Sequence, residues 1–465
     1  MFSQEEYRQR RKQLKAHFHE GILLFLGNSE SPINFFDNTY PFRQDSTFLY
    51  YFGIAAPILA AVIDVEENRE LIFGDELSID EVVWMGQQQS LQEKAGLSGI
   101  REVLPSAELD TCLKNARQKG RTIHFLPPYR AENILKLASV LNAEPEKIKE
   151  YASLTFIRAV VAQRSVKSEI ELEELDKASS LSADMHLLAM QMARPGMKEQ
   201  EIAAAIQRIA VKDGGALAYP IILTVNGQIL HNHYHGNTLK DGDLVLNDSG
   251  AETAMGYAGD LTRTFPAGKK FSNQQKEMYH IVLDAYQKAV SALKPGIRYL
   301  DVHYTACLKL AEGLKAMGLM KGDMHDAVAE GAHALFFQCG TGHMMGLDVH
   351  DMEDLGEQYV GYTDELKKNT TQFGLKSLRL GKALQPGYVL TVEPGLYFIP
   401  ELIAQWKAAQ RFTDFIHYPA VEKYIHFGGI RVEDDYVITD KGFRKLGKDL
   451  AISANAIEHI REAAW

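Results

Sequence analysis

The sequence predicts a mixed α/β (α+β) protein in two parts, the second built on a repeated unit. Three observations lead there. Short apolar runs alternate with helical stretches through the first third of the chain. Near residue 160 the pattern changes to one long helical periodicity. Two helix-Pro-Gly-helix passages are then each followed by a glycine turn and an apolar strand that ends in a carboxylate.

In chain order, the amphipathic stretch from Glu5 to about His17 predicts a helix. The runs GILLFLG (21–27), PILAAVIDV (57–65) and ELIFGD (70–75) predict strands of an α/β first part. From Arg164, SVKSEIELEELDKASSLSADMHLLAMQMA keeps apolar residues at helical spacing as far as Pro195-Gly196, which predicts a division into domains 1–160 and 161–465. Beyond it, MARPGMKEQEIAAAI from Met192 and ALKPGIRYLDVHYTA from Ala292 can be laid side by side, as can DGDLVLNDSG (241–250) and QPGYVLTVEPG (385–395). Aligning Gly242 with Gly387 sets Asp248 opposite Glu393. Each strand leads to another acid-bearing segment, GYAGDLTRTF (256–265) with Asp260 and GGIRVEDDYVIT (428–439) with Glu433. Two such strand pairs facing across a pseudo-two-fold axis would form a four-carboxylate pocket.

Composition narrows the function. A formal charge of -11 over 465 residues disfavours a nucleic-acid partner, because phosphate-backbone binding needs a basic face. No apolar run is long enough for a membrane span, and Cys112, Cys307 and Cys339 are scattered without the paired spacing of a disulfide framework or a thiolate zinc site. A soluble cytoplasmic protein with no membrane partner is expected.

Asp beside Gly is ordinary turn chemistry, and any one of these acids read alone is a turn residue. The apolar setting argues for more: in LVLNDSG and VLTVEPG an acid ends a run that reads as buried strand, and a buried carboxylate is costly unless paired or bound to a cation. Strand alternation puts Arg431 and Glu433 on one face. His343 and His350, in QCGTGHMMGLDVHDMED, lie among small and apolar residues, which predicts a loop or short strand; a lone histidine there reads as a satisfied core residue. Four carboxylates and one imidazole suit manganese and similar divalent ions better than structural zinc. Two such ions about 3.5 to 4 Å apart are a known arrangement for activating water in hydrolysis.

The stretches ILHNHYHGN, LVLNDSGAE, GYAGDLTRTFP, GTGHMMGLDVHD, LTVEPGLY and GGIRVEDDYVIT resemble the consecutive motifs of the metallopeptidases that include aminopeptidase P, prolidase, creatinase and methionine aminopeptidase. YPFRQDSTFLYYFG (40–53) is similar to the opening motif of the aminopeptidase P N-terminal domain. The resemblance implies a creatinase/ribonuclease H-like α/β domain followed by a catalytic pita-bread domain. It implies metal ligation by Asp248, Asp260, His343, Glu393 and Glu433, with Asp260 and Glu433 bridging two divalent ions, Mn2+ before Co2+ or Zn2+. Glu393 is also the candidate to take a proton from the attacking water. His231 matches the histidine near the scissile bond, with His233 and His235 as competitors, and His350 matches a second substrate-contacting histidine able to steady an oxyanion. Arg431 resembles an arginine behind the ligands, or else forms a simple salt bridge.

Two departures stand out. Cys339 replaces the first histidine of the family's His-Gly-x-x-His, and the interval from Asp248 to Asp260 is one residue longer than usual, which a bulge in the turn would absorb. Retained ligands argue against creatinase, and the YPFRQD motif argues against methionine aminopeptidase. The expected activity is therefore hydrolysis of Xaa-Pro bonds in proline-containing peptides, as an Xaa-Pro aminopeptidase that also takes dipeptides. A strict Xaa-Pro dipeptidase is the alternative; a non-catalytic binding protein on the same fold, or hydrolysis of a small non-peptide amidine or ester, are others. In FGLKSLRLGKALQPG, which is more like prolidase, Arg379 falls where an arginine would pair with a dipeptide's carboxylate; the other reading is a solvated basic loop with Lys376 and Lys382. The segment FIPELIAQWKAAQRFTDFIHYP (398–419) would wall the pocket or meet another subunit, and the resemblance implies a homo-oligomer, a dimer or tetramer.

Overall fold

The computed structural model describes residues 1–465 throughout. The chain divides into a first unit, Met1–Arg164 with Asp354–Tyr359, and a second, Ser165–Glu353 with Val360–Trp465.

In the first unit Ser3 caps the helix Gln4–Lys15 by accepting the Glu6 N–H, and Glu5 and Glu6 in the first turn oppose Lys12 and Lys15 in the last, each sign at the favourable end of the helix dipole. The strands are β1 (Ile22–Leu26), β2 (Ala60–Asp64), β3 (Arg69–Phe73), β4 (Glu102–Leu104) and β5 (Ile123–His124), in the spatial order β4-β3-β2-β1-β5. Central β1 is apolar on both faces because both are covered, so it lacks the alternation of a half-exposed strand. Leu24 pairs with Val62, and Val62 with Leu71, so Ile22, Leu24, Ala60, Val62, Leu71 and Phe73 share one face and pack on Leu109, Leu113 and Leu137.

The second unit contains β6 (Ala216–Leu217), β7 (Ile222–Thr224), β8 (Leu244–Ser249), β9 (Ala251–Glu252), β10 (Leu261–Pro266), β11 (Val389–Val392), β12 (Gly395–Tyr397), β13 (Gly429–Arg431), β14 (Asp434–Thr439) and β15 (Gly442–Lys445). Sheets β10-β8-β7 and β11-β14-β15 meet at a bridge between Thr262 and Glu433. The helix Glu169–Met192, begun by a Ser168–Glu171 capping box, leads through Pro195-Gly196 to the helix Glu199–Val211; Asn273–Ala292 leads through Pro295-Gly296 to Tyr299–Ala316 in the same manner.

The duplication extends to individual backbone hydrogen bonds. Gly196 N–H donates to Leu239 O and Leu239 N–H to Met197 O, while Gly296 N–H donates to Leu384 O and Leu384 N–H to Ile297 O. Just before β8 and β11, Gly242 and Gly387 adopt φ of +88° and +84°, the left-handed region that a side chain would disfavour. The same turn thus aims two strands so that an acid emerges at the same offset from each.

The β8–β10 ladder runs in unbroken register from Leu244 and Pro266 to Ser249 and Leu261. The chain between Asp248 and Asp260 turns through a loop closed by Thr253 N–H on Tyr257 O, whose flank β9 pairs with β6. The segment 398–419 forms the helix Pro400–Ala408, held by buried Ile403 and Trp406, and contributes no residue to the wall of the cavity described next.

Candidate metal centre

A cavity of about 470 Å³ within the second unit is lined by all nine residues singled out in the sequence: His231, Asp248, Asp260, His343, His350, Arg379, Glu393, Arg431 and Glu433. Asp248 is the penultimate residue of β8, Asp260 immediately precedes β10, and Glu393 follows β11 directly. Arg431 closes β13, and Glu433 lies between β13 and β14. His343 and His350 sit on a loop anchored at Met344 by a bridge to Leu390. A buried Lys167–Asp351 ion pair at 2.8 Å pins the far end of that loop.

Tyr219, from the turn before β7, donates its hydroxyl to Asp248 Oδ1 at 2.6 Å and also touches Asp260 Oδ1. Arg431 reaches the other Asp248 oxygen through Nη2, places Nε 3.1 Å from Thr262 Oγ1, and donates from Nη1 to Tyr397 OH at 2.8 Å. The salt bridge and the position behind the acids are therefore one arrangement. Thr262 in turn donates to Glu433 Oε2 at 2.6 Å. Asp435 accepts Ser179 OH at 2.6 Å and the backbone N–H of Asp260 at 3.1 Å, fixing the point from which the Asp260 side chain enters.

The cost of gathering these acids shows in their protonation. Burial, with the nearby Asp248 charge, pushes Asp260 up to about 7; burial pushes Glu393 up to about 7 and Glu433 well above the usual carboxylate range. Burial lowers His343, which favours neutral imidazole. Its Nδ1 is 3.0 Å from Met344 O, so Nδ1 carries the hydrogen and the Nε2 lone pair faces Asp260 Oδ2 at 3.4 Å and Glu393 Oε1 at 3.6 Å. Three acceptors aimed at one another call for a cation between them, and donor atoms of Asp260, His343 and Glu433 all lie within 4.8 Å. Oxygen donors with a single imidazole fit a hard divalent ion.

Around this centre, the His350 ring packs edge-on to His343 with centroids 4.4 Å apart, and its Nδ1 meets Glu353 Oε2 at 2.6 Å. Arg379 Nε shares that oxygen at 3.2 Å, a partly exposed pair at the edge of the site. His231 and His233 both line the cavity, whereas His235 turns back to Ile221 O at 3.1 Å. Burial is the main cause of the lowered pKa of His231, with the Asp248 charge opposing it and Arg431 and His350 adding to it. The Cys339 thiol is on the wall and is pushed up to about 12 by burial, so it is neutral. Nothing in the sequence singles out Tyr219, Thr262, Tyr397, Asp435 or Glu353; each is an ordinary residue in sequence, and all but Glu353, which meets His350 three residues away, find their partners far along the chain.

A duplicated α/β unit that gathers buried carboxylates and a neutral imidazole around a cation-sized gap defines a metal-dependent hydrolase. The chain belongs to metallopeptidase family M24, whose model matches residues 173–440, and it carries an aminopeptidase P N-terminal domain matched over residues 7–124. Its catalytic part has the pita-bread fold of that family. It is 32% identical over 420 residues to the Xaa-Pro dipeptidase of Rattus norvegicus, covering 88% of this chain and 82% of the relative. It is 30% identical over 480 residues to the Xaa-Pro aminopeptidase of Escherichia coli strain K12, covering 99% and 98%. It is also similar to the solved structure of zinc-substituted E. coli aminopeptidase P in complex with product, with a TM-score of 0.81 at 29% identity over 100% of this chain and 99% of that one. No helix is long and apolar enough to cross a membrane.

Proposed function

We propose that this chain is an Xaa-Pro aminopeptidase that hydrolyses the bond in front of a proline at the N-terminus of peptides, with Xaa-Pro dipeptides among its substrates. The observation that carries this reading is the cavity itself, where four carboxylates, His343, His231, His350 and Arg379 converge. The relatives' names supply the proline preference.

Asp248, Asp260, His343, Glu393 and Glu433 are the donors that would hold two divalent ions, Mn2+ by donor chemistry. Bound there, the ions supply Lewis acidity that activates water and polarises the scissile carbonyl. Glu393, with a pKa near neutrality, receives a proton from the attacking water and passes it to the leaving proline nitrogen. His231 offers an N–H to the oxygen on which charge develops; His350, whose Nδ1–H is held by Glu353, offers a second from Nε2 only when it is the imidazolium. Arg431 positions the Asp248 carboxylate. Residues 1–160 are assigned as the N-terminal domain and 161–465 as the catalytic domain. A cytoplasmic homo-oligomer, dimer or tetramer, fits the three free cysteines and the family likeness.

A strict Xaa-Pro dipeptidase is the second reading, favoured by the dipeptidase relatives and by Arg379 on the cavity wall. Manganese-loaded protein assayed on matched Xaa-Pro dipeptides and Xaa-Pro-Yaa tripeptides separates the two. Release of the first residue from both is expected; release from dipeptides alone selects the second reading, and release from neither rejects both.

A further inference from the structure

A second group of donor side chains lies in the second unit, outside the cavity. His303 and Cys307 stand one turn apart on the helix Tyr299–Ala316, and His333 faces them from the helical turn Ala332–Leu335. None of the three is more than 2% exposed, and their donor atoms lie within 4.8 Å of one another.

Two details argue against a merely packed core. Both ring nitrogens of His333 are buried, and at most one of them has a partner, a marginal hydrogen bond to the Ala327 backbone. An unpaired buried polar atom costs about 1–3 kcal/mol, so a ligand that takes up one of these nitrogens relieves a standing penalty. His303, meanwhile, is already oriented: its Nδ1 is 2.8 Å from Thr341 Oγ1, which leaves the Nε2 lone pair 3.4 Å from Cys307 Sγ. Tetrahedral zinc, with bonds of about 2.3 Å to sulfur and 2.0 Å to nitrogen, sets those two atoms about 3.5 Å apart. An outer hydrogen bond that fixes the tautomer of a ligating imidazole is the usual support of such sites.

We infer that His303, Cys307 and His333 form a second, buried site for a soft divalent ion of the zinc kind, with water completing the tetrahedron. Binding replaces the thiol proton of Cys307, which is released, and both imidazoles ligate in their neutral form. The site braces the loop that carries Thr341, because Thr341 holds His303 through its hydroxyl while its carbonyl accepts the Glu393 N–H at 2.7 Å and Tyr299 OH at 3.0 Å. The inference stands whether or not the chain cleaves Xaa-Pro bonds.

Cobalt(II) substitution of the full-length protein tests it, because a thiolate ligand gives a near-ultraviolet charge-transfer band that carboxylates and imidazoles do not. The band is expected in wild type, retained in Cys339→Ser and lost in Cys307→Ser. No band in wild type, a band that survives Cys307→Ser, or one lost only in Cys339→Ser overturns the assignment. Should Cys307→Ser fail to fold, zinc retained after dialysis is counted in Asp260→Asn/Glu433→Gln, with circular dichroism as the check on folding. One equivalent supports the buried site, and none rejects it.

Discussion

The two copies of the glycine-turn strand treat their acids differently. Asp248, near the end of β8, is clamped by a phenol on one oxygen and a guanidinium on the other. Glu393, at the same offset beyond β11, has only Thr391 Oγ1 at 3.5 Å and His343 at 3.6 Å, and sits near pKa 7. A carboxylate with both oxygens taken by strong donors is fixed in position, whereas one with few protein donors keeps its oxygens open to other partners. Duplication supplied a common scaffold with different neighbours, and on the proposed mechanism the first copy's acid anchors while the second's reacts.

The largest expected effect tests what the copies share. Chelation should abolish peptidase activity and lower the thermal midpoint, with both restored by Mn2+, because four clustered carboxylates repel one another without a cation. Activity that persists after exhaustive chelation, with metal content confirmed by mass spectrometry, would break the comparison at its base. Next, Glu393→Gln should fold and lower kcat by about 10²–10⁴-fold, the usual worth of a general base. Tyr219→Phe, which removes one clamp from Asp248, should instead cost about 1–2 kcal/mol in stability and change kcat only slightly. Equal losses of kcat in the two variants would erase the distinction between anchor and reactant.

A smaller effect belongs to Arg379→Ala, expected to raise KM about tenfold for Xaa-Pro dipeptides, about 1.4 kcal/mol of binding, and to spare tripeptides. Equal losses on both would remove its carboxylate role. The smallest concerns Glu353, which the His350 hydrogen bond and the Arg379 charge hold down from 4.5 to about 2. A depressed acid stabilises the fold above its unfolded pKa and ceases to do so as pH falls through the folded one. The urea-midpoint advantage of wild type over Glu353→Gln should thus be full at pH 6 and shrink progressively below pH 5. Its size should stay under about 1 kcal/mol because the pair is well solvated. An advantage independent of pH would mean that the ion pair contributes nothing.

The legible parts of the fold were those in which one short window holds both halves of the argument. Strands β1, β2 and β3 announce themselves as apolar runs, and Asp248 and Glu393 as acids at the ends of such runs. Strands β4 and β5, at three and two residues, are too short for any periodicity to register. The repeat was legible for both acids of each copy, but not for how the two copies join. Asp260 stands outside the β8–β10 ladder, where Thr262 faces Asp248, and it is Thr262 that bridges to Glu433. Tyr219 and Asp435 gain their roles only when distant segments meet. The scattered cysteines likewise hid Cys307, whose nearest ligand-type neighbours are histidines, one of them a helical turn away on its own helix.

The order of the donors along the chain has a consequence for the cell that makes it. Asp248 and Asp260 emerge from the ribosome first, His343 and Glu393 later, and Glu433 last, while the Arg431 that steadies Asp248 comes just before Glu433. A nascent, stalled or clipped chain that lacks this final strand leaves Asp248 without its guanidinium and the cavity without one of its acids. On the proposed site, a chain cut before Arg431 is expected to lack peptidase activity.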